Sequence, residues 1–170
     1  MQRVLKEYLQ DKPKSIKILD MGSGLGIQAQ TCKDLGFNNL LTTDINPEVI
    51  NLLKEKSFKS IQSDLFSNIK EKFNLIIFNP PYLPFDEKEP EDSQLQTTGG
   101  KKGYEIIVRF LSEVREHLSN KGVVLLLFSS LSEPKIILRE TERFNYKVKL
   151  LGKEKLFFEE LFVYLITTNS

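Results

Sequence analysis

Apolar positions along the chain alternate between two periods. Val4, Leu5, Tyr8 and Leu9 recur at helical spacing, and Asp11-Lys12-Pro13-Lys14 breaks that run. Ile16–Asp20 reads as a short strand, followed by the glycine-rich turn Met21-Gly22-Ser23-Gly24-Leu25-Gly26. A helix is predicted from about Ile27 to Leu35, with Gly36 as its left-handed cap. Asn39–Thr43 reads as a second strand, ending at Asp44. Asn46 and Pro47 then open a helix as cap and first residue. Phe58–Gln62 is a third, weaker strand, followed by Asp64. Phe73–Phe78 is a fourth, apolar throughout except at Asn74, so buried.

Residues 83–103 form a long polar loop carrying Pro84, Pro90, Gly99, Gly100 and Gly103, the length expected of a binding loop or lid. Tyr104–Ser119 has the stripe Ile107, Phe110, Leu111, Val114, Leu118 of an amphipathic helix. Val123–Phe128 is an almost wholly apolar fifth strand, hence central. Ser132, Glu133 and Pro134 open a helix to about Phe144. Lys147–Leu151 and Leu156–Thr167 are two final strands joined around Gly152, with the lengths of an antiparallel hairpin.

Strands alternating with helices define an α/β class: a doubly wound, mostly parallel sheet of seven strands with a C-terminal antiparallel hairpin. At 170 residues the chain is expected to form one domain, residues 1–170. Ligands of such sheets bind outside the carboxyl ends of the strands. The glycine turn, Asp44, Asp64 and Asn79 each follow a strand end, so all four are expected on one edge.

Composition narrows the chemistry. A net charge of +1 gives no global field toward nucleic acid or membrane. One cysteine, Cys32, and one histidine, His117, leave no disulfide, no cysteine metal cluster and few routes to zinc, so no metal is expected. Cys32 is expected in the core, and His117 on the edge away from the site. No apolar run is long enough for a membrane span, and a reducing, cytoplasmic location is the expectation.

The candidate site has four parts. Two prolines end the fourth strand, and Asn79-Pro80-Pro81-Tyr82 is left as a stiff turn offering an amide, carbonyls and one ring. In Asp20-x-Gly22-x-Gly24-x-Gly26 the glycines let backbone approach a ligand, but the spacing departs from the dinucleotide fingerprint. Alone it fits a nucleotide-like ligand or a plain tight turn. Asp20 at its mouth would repel a pyrophosphate and attract a cationic amino-acid moiety. Asp44, about 20 residues beyond the glycines, suits two ribose hydroxyls or a helix start. Asp64 suits an adenine amino group or a turn. Ribose, adenine and a cationic tail without phosphates describe S-adenosylmethionine.

With these residues in place the chain resembles class I, Rossmann-like S-adenosylmethionine methyltransferases of the HemK type, especially the archaeal and eukaryotic branch that methylates translation termination factors. Ile18–Gly26, Thr43–Pro47, Ser63-Asp64-Leu65 and Phe78–Tyr82 match that family in order and spacing, and Gly99–Glu105 resembles its glycine pair before the following helix. The resemblance implies methyl transfer to the side-chain amide nitrogen of glutamine in a Gly-Gly-Gln motif of a release factor. It implies catalysis by Asn79, Pro80 and Tyr82. It implies cofactor contacts from Asp20, Gly22, Gly24, Gly26, Asp44, Ile45, Asp64, Leu65 and Asn79. It implies a small zinc-binding activator subunit, with the third strand as its edge. The family's acidic Glu-Asp-Ser/Thr element upstream of the first helix has no match here, which implies either a shortened chain or weaker, less covered cofactor binding. The alternative is a nucleic-acid methyltransferase acting on an exocyclic base amine, since bases also present NH2 on a planar system.

Overall fold

The structure is a computed structural model, and it describes residues 1–82 and 99–169. The expected lid lies outside the described residues over 83–98.

Seven strands form one sheet: β1 (Ile18–Met21), β2 (Leu40–Asp44), β3 (Ser60–Gln62), β4 (Phe73–Phe78), β5 (Leu118–Ser129), β6 (Tyr146–Lys155) and β7 (Glu160–Thr168). Their order is β3-β2-β1-β4-β5-β7-β6. β1 to β5 pair in parallel, while β7 runs antiparallel between β5 and β6. The mostly parallel sheet and its C-terminal hairpin are those expected from the sequence.

The helices among the described residues are α1 (Gln2–Leu9), α2 (Ile27–Asp34), α3 (Pro47–Glu55), α4 (Glu105–Glu113) and α5 (Pro134–Arg143). Alternate strand residues face opposite layers. Ile18, Leu75, Ile77, Val123 and Leu125 pack with Leu5 and Leu9 of α1 and Cys32 of α2. Leu19, Met21, Ile76, Phe78, Val124 and Leu126 pack with Ile107, Phe110 and Leu111 of α4 and Ile137 of α5. α3 joins the first layer through Ile50 and Leu53, against Ala29. With both faces covered, the central strands must be apolar on both sides, as β4 and β5 are.

Three expectations are corrected. The predicted helix Tyr104–Ser119 ends at Glu113; Val114–His117 is a 3-10 turn, and β5 already begins at Leu118, beside Phe73. The turn of the final hairpin is not at Gly152 but at residues 156–159, where Leu156 N–H donates to the Glu159 carbonyl. Gly152 sits inside β6 at a shift of register, and a Cβ there would stand 2.5 Å from Cγ2 of Val4. It is a glycine because α1 crosses it, not because the chain turns. The third strand contracts to three residues, Ser60–Gln62, on the sheet edge. No helix among the described residues is long and apolar enough to cross a membrane.

Candidate active site

Parallel register aligns the strand ends. Met21 pairs with Thr43 and with Phe78, Asp44 with Gln62, and Phe78 with Leu126. The segments that follow these residues therefore leave the sheet along one edge, as expected. They are the glycine turn, Asp44–Asn46, Ser63–Leu65 and Asn79–Tyr82.

The glycine turn is held from below by Ser23, a residue with no visible signature in the sequence. Its N–H donates to the Thr43 carbonyl (2.8 Å), its hydroxyl donates to the Asp20 carbonyl (2.7 Å), and it accepts from Thr43 N–H (3.2 Å). Gly22, Gly24 and Gly26 all take positive φ. Gly26 has a second constraint: a Cβ would lie 2.8 Å from Leu53, so α2 and α3 approach this closely only across a glycine.

Asp20 is 3% exposed, and its Oδ2 accepts from Ala29 N–H (3.0 Å) in the first turn of α2. Burial pushes its carboxyl up to about 8; that hydrogen bond and Ser23 pull the other way, and the Asp44 charge adds to the rise. Asp20 is therefore a buried acid beneath the turn, tied to a helix N-terminus. Asp44 stands above the turn and is partly exposed. Its Oδ2 accepts from Gly24 N–H (3.0 Å) and its Oδ1 from Asn46 N–H (2.9 Å). Each oxygen keeps a second lone pair, the requirement for meeting two ribose hydroxyls. Asn46 does cap α3, its Oδ1 accepting from Glu48 N–H (2.9 Å).

Asp64 is half-exposed and forms an ion pair with Arg109 of α4 (3.0 Å), leaving its other oxygen for an amino group. Ile45 is an exposed apolar side chain beside Asp44, whereas Leu65 is buried and held at positive φ. Leu25 is exposed as well. Apolar side chains flanking a carboxylate that has lone pairs to spare suit a nucleoside, which is flat and apolar on its faces and polar at its rim.

At the end of β4, Asn79 Oδ1 is buried and has no hydrogen-bond partner among the described residues. Pro80 is buried, and Pro81 and Tyr82 are partly so. Phe78 is core, its ring 4.4 Å from that of Phe110. The Tyr82 ring packs on Val4, Leu127 and Val163, and its carbonyl accepts from the Ser132 hydroxyl (2.8 Å). The Gly99 backbone closes over the same turn, for a Cβ there would stand 2.6 Å from the Pro81 carbonyl oxygen.

His117 stays away from this edge, stacked on Phe66 (4.3 Å). Cys32 is fully buried, and burial holds its thiol up at about 12, so it is an inert core residue. A cavity of about 730 Å³ lies on the outer side of α2 between Gln2, Lys6, Gln30 and Lys56. It includes neither Asp44 nor Asn79.

The sheet order, with β7 inserted antiparallel between β5 and β6, and the strand-end site together define a class I methyltransferase fold. The chain belongs to the family described as methyltransferase small domain, whose model matches residues 2–155. A putative protein N5-glutamine methyltransferase of Methanocaldococcus jannaschii is 38% identical over 168 residues, covering 94% of this chain and 84% of that relative. The release factor glutamine methyltransferase of Lactococcus lactis is 29% identical over 140 residues; the chain spans only 51% of its length. Among solved structures, that of the E. cuniculi Mtq2-Trm112 complex, responsible for methylation of the eRF1 translation termination factor, matches with a TM-score of 0.78 at 22% identity, over 98% of this chain and 93% of that one.

Proposed function

We propose that this chain is an S-adenosylmethionine-dependent methyltransferase acting on the side-chain amide nitrogen of a glutamine in a translation termination factor. One observation carries the reading. Asn79 Oδ1 is a buried acceptor without a donor among the described residues, at the end of the strand beside the glycine turn. A buried unpaired acceptor costs about 1–3 kcal/mol. A substrate NH2 group would remove that cost by donating one hydrogen to Asn79, and the other to the Pro80 carbonyl.

S-adenosylmethionine, when bound, supplies a methyl group on a sulfonium, an already activated donor. In this reading Asp44 holds the ribose, Ile45 and Leu65 flank the adenine, Asp64 accepts from its amino group, and the backbone of Gly22, Gly24 and Gly26 makes room for the amino-acid end over Asp20. The chain's own catalytic contribution is orientation. An amide nitrogen is a poor nucleophile because its lone pair is shared with the carbonyl. Two fixed acceptors for its hydrogens hold the nitrogen in place and favour the more pyramidal geometry in which the lone pair is available. Tyr82, fixed by packing and by Ser132, forms a wall at the end of the turn.

The relatives support the substrate: the archaeal protein is named for glutamine methylation and the bacterial ones for release factors. The structure matched above is a complex with a second subunit. A small partner on this chain would have the β3 edge available, a short strand with no neighbour on its outer side among the described residues. The test is transfer of labelled methyl groups to a termination factor containing Gly-Gly-Gln, beside total RNA and DNA. Label on the factor that disappears when that glutamine becomes alanine supports the proposal. Label on nucleic acid alone would overturn it in favour of a base amine.

A further inference from the structure

The tip of the β6–β7 hairpin breaks the local rules of its own fold. Phe157 is 100% exposed and Phe158 92%, and Leu156 between them and β6 is partly exposed. The two ring centroids lie 6.2 Å apart at 43°, and both rings stand in solvent. Tight hairpin turns favour Asn, Asp and Gly, and two bare phenylalanines contribute nothing there to the folded chain. Local rules fail in this way mostly where function requires it.

The position of the tip supplies a reason. β7 starts at Glu160 opposite the end of β5: Ser130 N–H donates to the Glu160 carbonyl (2.8 Å), and Glu160 N–H donates to the Ser130 hydroxyl (2.9 Å). The hairpin thus turns on the same edge of the sheet as Asn79. It is also fastened to the catalytic turn. The Ser129 hydroxyl donates to the Glu159 carboxylate and accepts from Leu131 N–H (3.1 Å), while Ser132, one residue on, donates to the Tyr82 carbonyl. Burial raises the Tyr82 phenol, and the nearby Glu159 charge adds to the rise. With strands about 4.8 Å apart, the tip stands about 10–12 Å along the edge from β4. An extended chain covers that distance in about four residues.

We infer that Phe157 and Phe158 are a docking element for the protein substrate, seating an apolar patch of the termination factor a few residues from the glutamine held at Asn79. The inference rests on the proposed function above. Its occupant is the substrate and not a partner subunit, because the tip is continuous with the catalytic turn and lies at the opposite end of the sheet from the open β3 edge, about 24 Å across five strand spacings. A phenylalanine has only two side-chain torsions to fix on contact, so an exposed aromatic pair presents much apolar area at little entropic cost, which suits it to be an anchor.

The experiment compares the chain with the double variants Phe157→Ser/Phe158→Ser and Phe157→Leu/Phe158→Leu, measuring methyl transfer to the intact termination factor. The serine variant should raise KM for the factor about 10–30-fold, with kcat, cofactor affinity and thermal midpoint within about twofold of the original. The leucine variant should recover most of the loss. An unchanged KM in the serine variant overturns the docking role, as does a fall in kcat at constant KM. Binding of the original chain to neutral phospholipid vesicles, lost in the serine variant while KM holds, would reassign the tip to a membrane surface. Absence of transfer to the factor by the original chain is a different failure: it removes the proposed function itself, and the docking role with it.

Discussion

The backbone of Gly99 rests directly against the carbonyl of Pro81. A Cβ added at Gly99 would stand 2.6 Å from that oxygen and 2.5 Å from the Gly103 carbonyl oxygen. Both neighbours are backbone, so neither can swing aside as a side-chain tip would. The chain beyond the loop therefore clamps the turn that carries Asn79. It is clamped in its own right, since Ile106 N–H donates to the Gly99 carbonyl (3.2 Å) and Glu105 accepts from Lys102 N–H and Tyr104 N–H (3.1 Å each). Gly99→Ala should push the Pro81 carbonyl by a few tenths of an ångström or more. A misplacement of about 1 Å at a reacting group costs about 10²-fold in rate, so this smaller push should cost about 10-fold or more. The expected result is a fall of that size in kcat with cofactor affinity nearly unchanged, read from saturation kinetics and a binding titration. A normal kcat would mean the clamp has no part in holding Asn79.

If Asn79 serves the substrate and Asp44 the cofactor, as proposed above, their variants should separate cleanly. Asn79→Ala removes the substrate acceptor and should lower kcat about 10²–10³-fold. Because its Oδ1 is unpartnered, its removal should leave the thermal midpoint of the free chain unchanged or slightly higher. Asp44→Ala should do the reverse: cofactor affinity falls by about 10-fold or more. Gly24 N–H and Asn46 N–H also lose their acceptor, costing about 1–3 kcal/mol of stability. Equilibrium binding, single-turnover rates and melting curves check all of these. An Asn79→Ala chain that loses the cofactor and keeps its rate at saturation would refute the division.

The part of this site legible in the sequence is the part made by chain direction. Phe73–Phe78 has the same bounds in the structure as its apolar run suggests, because a strand buried on both faces leaves few polar positions to blur its ends. Parallel pairing then carries four strand-end motifs to one edge without further information. What could not be read is what depends on distant pairs. Arg109 meets Asp64 across 45 positions, and Ser132 meets Tyr82 across 50. The early start of β5 was hidden for the same reason. Ser119-Asn120-Lys121 is polar, with Lys121 at positive φ, and it extends the strand only because Ser119 accepts from the Asn74 side chain (2.9 Å) and Leu118 pairs with Phe73. Gly152 read as a turn, since the approach of Val4 that explains it leaves no local mark.

Asp20 gives the chain a pH dependence whose sign can be worked out. The unfolded chain releases this proton near the ordinary aspartate value of about 3.9, while burial holds it in the folded chain up to about 8. Between these values the folded state binds the proton and the unfolded state does not. The contribution to stability is therefore complete below about pH 4, declines as pH rises through the window, and is lost above about 8. Melting of the cofactor-free chain at pH 5, 6.5 and 8.5 should show the decline, and Asp20→Asn, which cannot ionise, should remove it. Parallel curves for the two chains would mean that Asp20 is already ionised in the folded state. A second measurement asks what lies above it. If the cationic end of S-adenosylmethionine sits over the glycine turn, its charge favours the carboxylate, and binding at pH 7.5 should release a fraction of a proton. Binding heats measured in buffers of different ionisation enthalpy would then differ for the original chain and agree for Asp20→Asn. Equal heats in both chains would place the amino group away from Asp20 and leave that acid the purely structural task of capping α2.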